Sequence, residues 1–216
     1  MRLIGALLVA SGCSFQGSVT PDAVPEPDGG GMPRGLGMFL TWNANPSLPG
    51  PVTNKVSATA VTFQLEHLQL VSDAGADGRT TRSRYQLAWS AGALPLQEMF
   101  PDAPVAVYQR ISLDMRGDVQ PPYAYQIQGT WRDDKGDDQQ FRIADTVNLE
   151  VPIDCSETLP PGGSVSITVR VDLRDALSNV NFKNLSQDKD GVLVLTGGPP
   201  LSDFRNRLMR AFSIDD

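Results

Sequence analysis

The only histidine in this chain, His67, is the side chain best suited to move a proton or hold a metal near neutral pH. A histidine-based metal site normally draws on a second histidine or on cysteines. Here the two cysteines, Cys13 and Cys155, are far apart in sequence and form no Cys-x-x-Cys pair. A Ser-His-Asp site would have to be built on His67, and no Gly-x-Ser-x-Gly elbow is present. No phosphate-cradling or dinucleotide glycine motif occurs either. The hard oxygen donors gather at Asp133-Asp134-Lys135-Gly136-Asp137-Asp138 and Asp188-Lys189-Asp190-Gly191. Neither run completes a calcium-loop spacing, so both are expected to be solvated turns. Trp42, Trp89 and Trp131 all stand in strand-like context, where at least two should be core; an exposed one would suit a sugar ring or a protein interface. The expectation is therefore a chain with no catalytic residue, no metal site and no cofactor.

The first residues carry the clearest chemical signal. Arg2 is followed by an apolar run of eight residues, Leu3 to Ala10, then by Ser11, Gly12 and Cys13. A short positive start, a short apolar run and small residues make a secretory signal, and the run is far below the ~20 apolar residues that span a bilayer. The ending Ala10-Ser11-Gly12-Cys13 resembles the lipobox of bacterial lipoproteins, although Ala10 holds the position where an aliphatic residue is usual. The resemblance implies removal of residues 1–12, a diacylglyceryl thioether on Cys13, and acylation of the new amine with palmitate or a similar chain. Several acyl chains on one residue make a durable membrane anchor. With Cys13 lipidated, Cys155 is left without a disulfide partner and is expected to be a buried small apolar residue in a strand. Residues 13–35 carry Pro21, Pro25, Pro27, Pro33 and Gly29 to Gly31 among acids, the composition of a disordered tether. As a flexible coil it would reach about 25 Å.

The texture changes at Leu36, and residues 36–216 are expected to form a single domain. Net charge −7 and a pI near 4.7 argue against nucleic acid, which needs concentrated Lys and Arg. Short alternating runs predict strands at Met38 to Trp42, Ala58 to Val71, Arg84 to Trp89, Val105 to Met115, Tyr123 to Trp131, Gln140 to Ile143, Val147 to Ile153 and Ser164 to Leu173. In the longest run Val61, Phe63 and Leu65 keep one parity and Leu68 and Leu70 the other, which predicts a bulge or twist near His67. Leu94 to Phe100 reads as a loop or a turn of helix. Two short helices are predicted, Asp175 to Val180 and Pro200 to Phe212. The second is amphipathic: Leu201, Phe204, Leu208, Ala211 and Phe212 share one face, Arg205, Asn206 and Arg210 are expected to face water, and Ser202 is placed to cap the first turn. Together these predict a mostly β protein, an antiparallel β-sandwich (immunoglobulin-like or related) with short helices that include a C-terminal amphipathic one.

Three stretches of this domain resemble the methanobactin-associated periplasmic copper proteins. They are Val61 to Val71 before a Gly/Asp turn, Pro104 to Met115 with Val107-Tyr108-Gln109-Arg110-Ile111, and Ser166 to Phe182 followed by a helix ending Ala211-Phe212. That resemblance implies a β-sandwich; the chain lacks the group's additional cysteines and histidines. The functional expectation is a lipid-anchored lipoprotein of the bacterial cell envelope, outer membrane or periplasmic face. Its domain would be a non-catalytic binding or scaffold module that takes a protein or carbohydrate partner. The alternatives are a periplasmic copper-handling protein and a glycan hydrolase working through carboxylates.

Overall fold

The computed structural model describes residues 36–91, 96–117 and 122–215. The signal-like segment, Cys13, the tether, and Leu94 and Pro95 lie outside the described residues.

The chain folds as two packed sheets with short helices at one end. The strands are β1 (Gly37–Ala44), β2 (Gly50–Pro51), β3 (Val56–Ser72), β4 (Gly75–Ser90), β5 (Leu96–Phe100), β6 (Ala106–Met115), β7 (Tyr125–Arg132), β8 (Asp138–Asp145), β9 (Leu149–Leu159) and β10 (Ser164–Val171). Then come α1 (Arg174–Ser178), a 3-10 turn (Phe182–Asn184), β11 (Ser186–Gln187), β12 (Leu193–Leu195), α2 (Gly198–Leu208) and β13 (Phe212–Ile214). The smaller sheet has the order β13-β10-β1-β5, and the larger one runs β11-β12-β8-β7-β3-β6-β9 with β2 and β4 also on β3. Most pairings are antiparallel, but β1 with β10 and β12 with β8 are parallel.

The two sheets bury one continuous core. Met38, Leu40 and Trp42 from the smaller sheet meet Val61, Phe63, Leu87, Ile127 and Ile143 from the larger. Phe212 reaches across to Phe63 with ring centroids 5.3 Å apart. Gly129 marks a close approach: a Cβ there would stand 2.0 Å from the Ser57 carbonyl oxygen and 2.8 Å from the Phe141 ring. Only glycine lets β7 pair with β3 at that point.

β3 is the organising strand. β4 pairs along one edge of it. On the other edge β7 pairs with Val56 to Phe63, and β6 takes over from Leu65 to Ser72. The handover comes with a register shift between Leu65 and His67, where the parity of the apolar residues slips. Leu65 and Leu68 are both buried with two polar residues between them, so the irregularity keeps the core face apolar on both sides of the break. Arg84, which lies on β4 between the pairs Leu65–Tyr85 and His67–Ser83, takes a left-handed φ of 55°.

Four expectations need correction. Leu96 to Phe100 is a strand, because it finds a partner in β1 that its own sequence does not announce. The last helix ends at Leu208, and Phe212 begins β13 on β10 instead. Ser202 lies inside α2, whose N-cap position is Gly197 with no side-chain cap and prolines in the first turn. Arg205 does not face water: its Nε and Nη2 donate to Asp145 Oδ2 at 2.8 and 2.7 Å.

Candidate functional site

α1, the 3-10 turn, β12 and α2 enclose a cavity of about 300 Å³. Its floor is apolar, made by Ala176, Val180, Leu185, Leu195 and Phe204, and its rim carries Asn179, Asn181, Asn184, Asp203 and Arg207. Each part follows from local sequence. α1 is short, and Asn179 ends it, donating through Nδ2 to the Asp175 carbonyl at 2.8 Å and its Oδ1 at 3.1 Å. The chain then makes the 3-10 turn with Phe182 buried beneath it, which leaves Asn181 and Asn184 exposed. α2 closes the other side, and Phe204 forms both core and cavity wall.

The electrostatics of this rim favour neutral ligands. The Arg207 guanidinium is committed to Asp175, with Nη1 at 3.0 and 2.9 Å from its two carboxylate oxygens. Asp203 adds negative charge at the mouth, and the amides of Asn181 and Asn184 supply both donors and acceptors. An apolar floor with a few convergent polar groups is the usual composition of a small-molecule site. Asp203 is the carboxylate among the lining residues.

On the far side of the 3-10 turn lies a shallower groove of about 420 Å³, edged by Trp131, Asp133, Asp134, Gln139 and Lys183. Trp42 and Trp89 are buried, as expected of at least two tryptophans. Trp131 is half-buried, stacked on Phe182 at 5.7 Å with 14° between the planes. The acidic tips are occupied by their own structure. Asp133 Oδ1 accepts the backbone N–H groups of Lys135 and Asp137. Lys183 and Lys55 flank Asp134 and draw its carboxyl down to about 2. Asp188 accepts from the Asp190 and Val192 N–H groups and from Arg142.

His67 is not alone in space. Its Nδ1 is 3.4 Å from Asp114 Oδ2 on β6, and Glu66 beside it pairs with Arg116 at 2.7 Å. Sequence reasoning missed this cluster because Asp114 lies 47 residues further on, and only the β3–β6 register brings it here. Cys155 is half-buried; burial, with Glu157 and Asp154 nearby, pushes its thiol up to about 11, so it stays protonated and weakly nucleophilic. Its Sγ points to the Tyr108 carbonyl oxygen at 3.5 Å.

The architecture defines a β-sandwich with a helical cap at one end. The chain matches no known protein-family model, and no curated protein or solved structure is significantly similar to it. No helix among the described residues is long and apolar enough to cross a membrane.

Proposed function

We propose that this protein is a lipid-anchored binding lipoprotein of the bacterial cell envelope. Its domain holds a small neutral polar molecule, of monosaccharide size, in the cavity between α1 and α2. The observation that carries the binding role is that cavity: an apolar floor, the exposed amides of Asn181 and Asn184, and a guanidinium already paired with Asp175. The anchor rests on the lipobox-like Ala10-Ser11-Gly12-Cys13.

Isothermal titration of the domain with glucose, N-acetylglucosamine and glucuronate tests the binding role. At least one neutral sugar binds saturably, and glucuronate, whose carboxylate would meet Asp203, binds more weakly. Asn181→Ala combined with Asn184→Ala removes two hydrogen-bonding groups worth about 1 kcal/mol each and weakens binding about tenfold or more. Binding that this double variant leaves untouched would place the ligand elsewhere, and heat-silent titrations with both neutral sugars would remove this ligand class.

The anchor has its own test. Cys13→Ser moves the protein from the membrane fraction to the soluble one and abolishes incorporation of labelled palmitate. A variant that stays with the membrane and keeps its label contradicts the assignment.

A further inference from the structure

We infer that Glu66, His67 and Asp114 form a binding site for a divalent transition-metal ion, independent of the helical cavity. One ligand atom from each residue lies within 4.8 Å of those of the other two. The arrangement has a structural cause. Regular alternation would send Glu66 and His67 to opposite faces of β3. The register shift inserts one residue between the pairs Leu65–Met115 and His67–Asp114, and Leu65 and Leu68 take the core positions on either side. Both polar side chains are thereby left outside the core, where β3 changes partner from β7 to β6, and Asp114 comes opposite His67.

The donor set has a definite preference. One imidazole with two carboxylates suits zinc and its first-row neighbours, whereas calcium and magnesium favour all-oxygen shells. Two carboxylates and a neutral imidazole carry charge −2, matched to a dication. The three side chains are 33–39% exposed, so an ion reaches them directly from solvent and keeps water in its remaining positions. Arg116 is the counter-charge already present, 2.7 Å from Glu66 Oε2. A carboxylate has two oxygens, so Arg116 can hold one while the other ligates, the usual arrangement of an outer-shell partner.

The test is titration of the metal-free domain with Zn²⁺, followed by calorimetry and by the visible spectrum of the Co²⁺ form. The wild type binds one ion per chain, and the Co²⁺ bands appear with the same stoichiometry. His67→Gln and Asp114→Asn approximately preserve size and hydrogen bonding at partly exposed positions, so both fold, which thermal melting verifies. Loss of a ligand weakens binding by more than the roughly 10–100-fold that outer-shell changes cost. Arg116→Gln, in contrast, retains stoichiometric binding. An absence of 1:1 binding in the wild type, or Zn²⁺ affinity that survives in either ligand variant, overturns the site.

Discussion

Phe204→Ala lowers the stability of the domain by about 3–5 kcal/mol, the range for truncating a fully buried phenylalanine. Phe204 is 2% exposed and lies between Leu201 and Leu208 on the buried face of α2, with its ring 6.0 Å from that of Tyr125. An 11-residue helix is marginal by itself in water, so α2 exists through this packing. Removing the ring leaves a hole against β7 and opens the wall of the ligand cavity. In a domain of this size the loss corresponds to a melting temperature lower by roughly 6–20 °C. Ser202→Ala, at an exposed position on the same helix, changes stability by less than about 0.5 kcal/mol. Equal, negligible effects of the two substitutions in thermal melts would show that α2 is not docked on the sandwich.

Arg205→Ala costs about 3 kcal/mol, although it removes a charged residue from a surface helix. Asp145 is 4% exposed, and its Oδ2 accepts from Arg205 Nε and Nη2 and from the Tyr125 hydroxyl at 3.2 Å. Burial, together with the Asp145 charge, drives the Tyr125 phenol far above its usual range, so it remains a donor. Deleting Arg205 leaves a buried carboxylate with Tyr125 and the Val147 N–H as its remaining partners, and uncompensated buried charge is expensive. Urea unfolding of Arg205→Ala, Asp145→Asn and the double variant separates this from lost packing. The double variant loses clearly less than the sum of the singles, because once the carboxylate is gone the guanidinium has nothing to neutralise. Additive losses, or a loss under about 0.5 kcal/mol for Arg205→Ala, would contradict the role of this pair.

The contrast between those two residues shows where local pattern stops being informative. Leu201, Phe204 and Leu208 recur at spacings of three and four, and that period identifies the buried face of α2. Arg205 follows Phe204 by one position at the flank of that face, and its long side chain reaches inward to an acid 60 residues earlier in the chain, a match no local window contains. The irregularity at His67 was legible because core residues must keep one parity, and the slip from Leu65 to Leu68 breaks it. What the bulge brings together was not legible, since Asp114 arrives by strand register. β5 and β13 were missed for a related reason. Each is short, and its strand geometry comes from hydrogen bonding to β1 or β10 more than from intrinsic preference. Likewise, nothing in the local sequence sets Asn179, inside a predicted helix, or Asn181 and Asn184 beyond it, apart from other surface amides. Only the position of α2 above them makes a cavity rim.

Amide chemical-shift mapping shows whether the space between α1 and α2 takes the ligand. The isotope-labelled domain is titrated with the neutral sugar that gives the strongest calorimetric signal, and backbone shifts are followed across the chain. The largest shifts cluster at Ala176 to Leu185, Leu195 and Asp203 to Arg207, and the resonances of β3 around His67 stay in place. Shifts centred on Trp131 and Gln139, or scattered over the sandwich with no maximum at the helical cap, would contradict this placement.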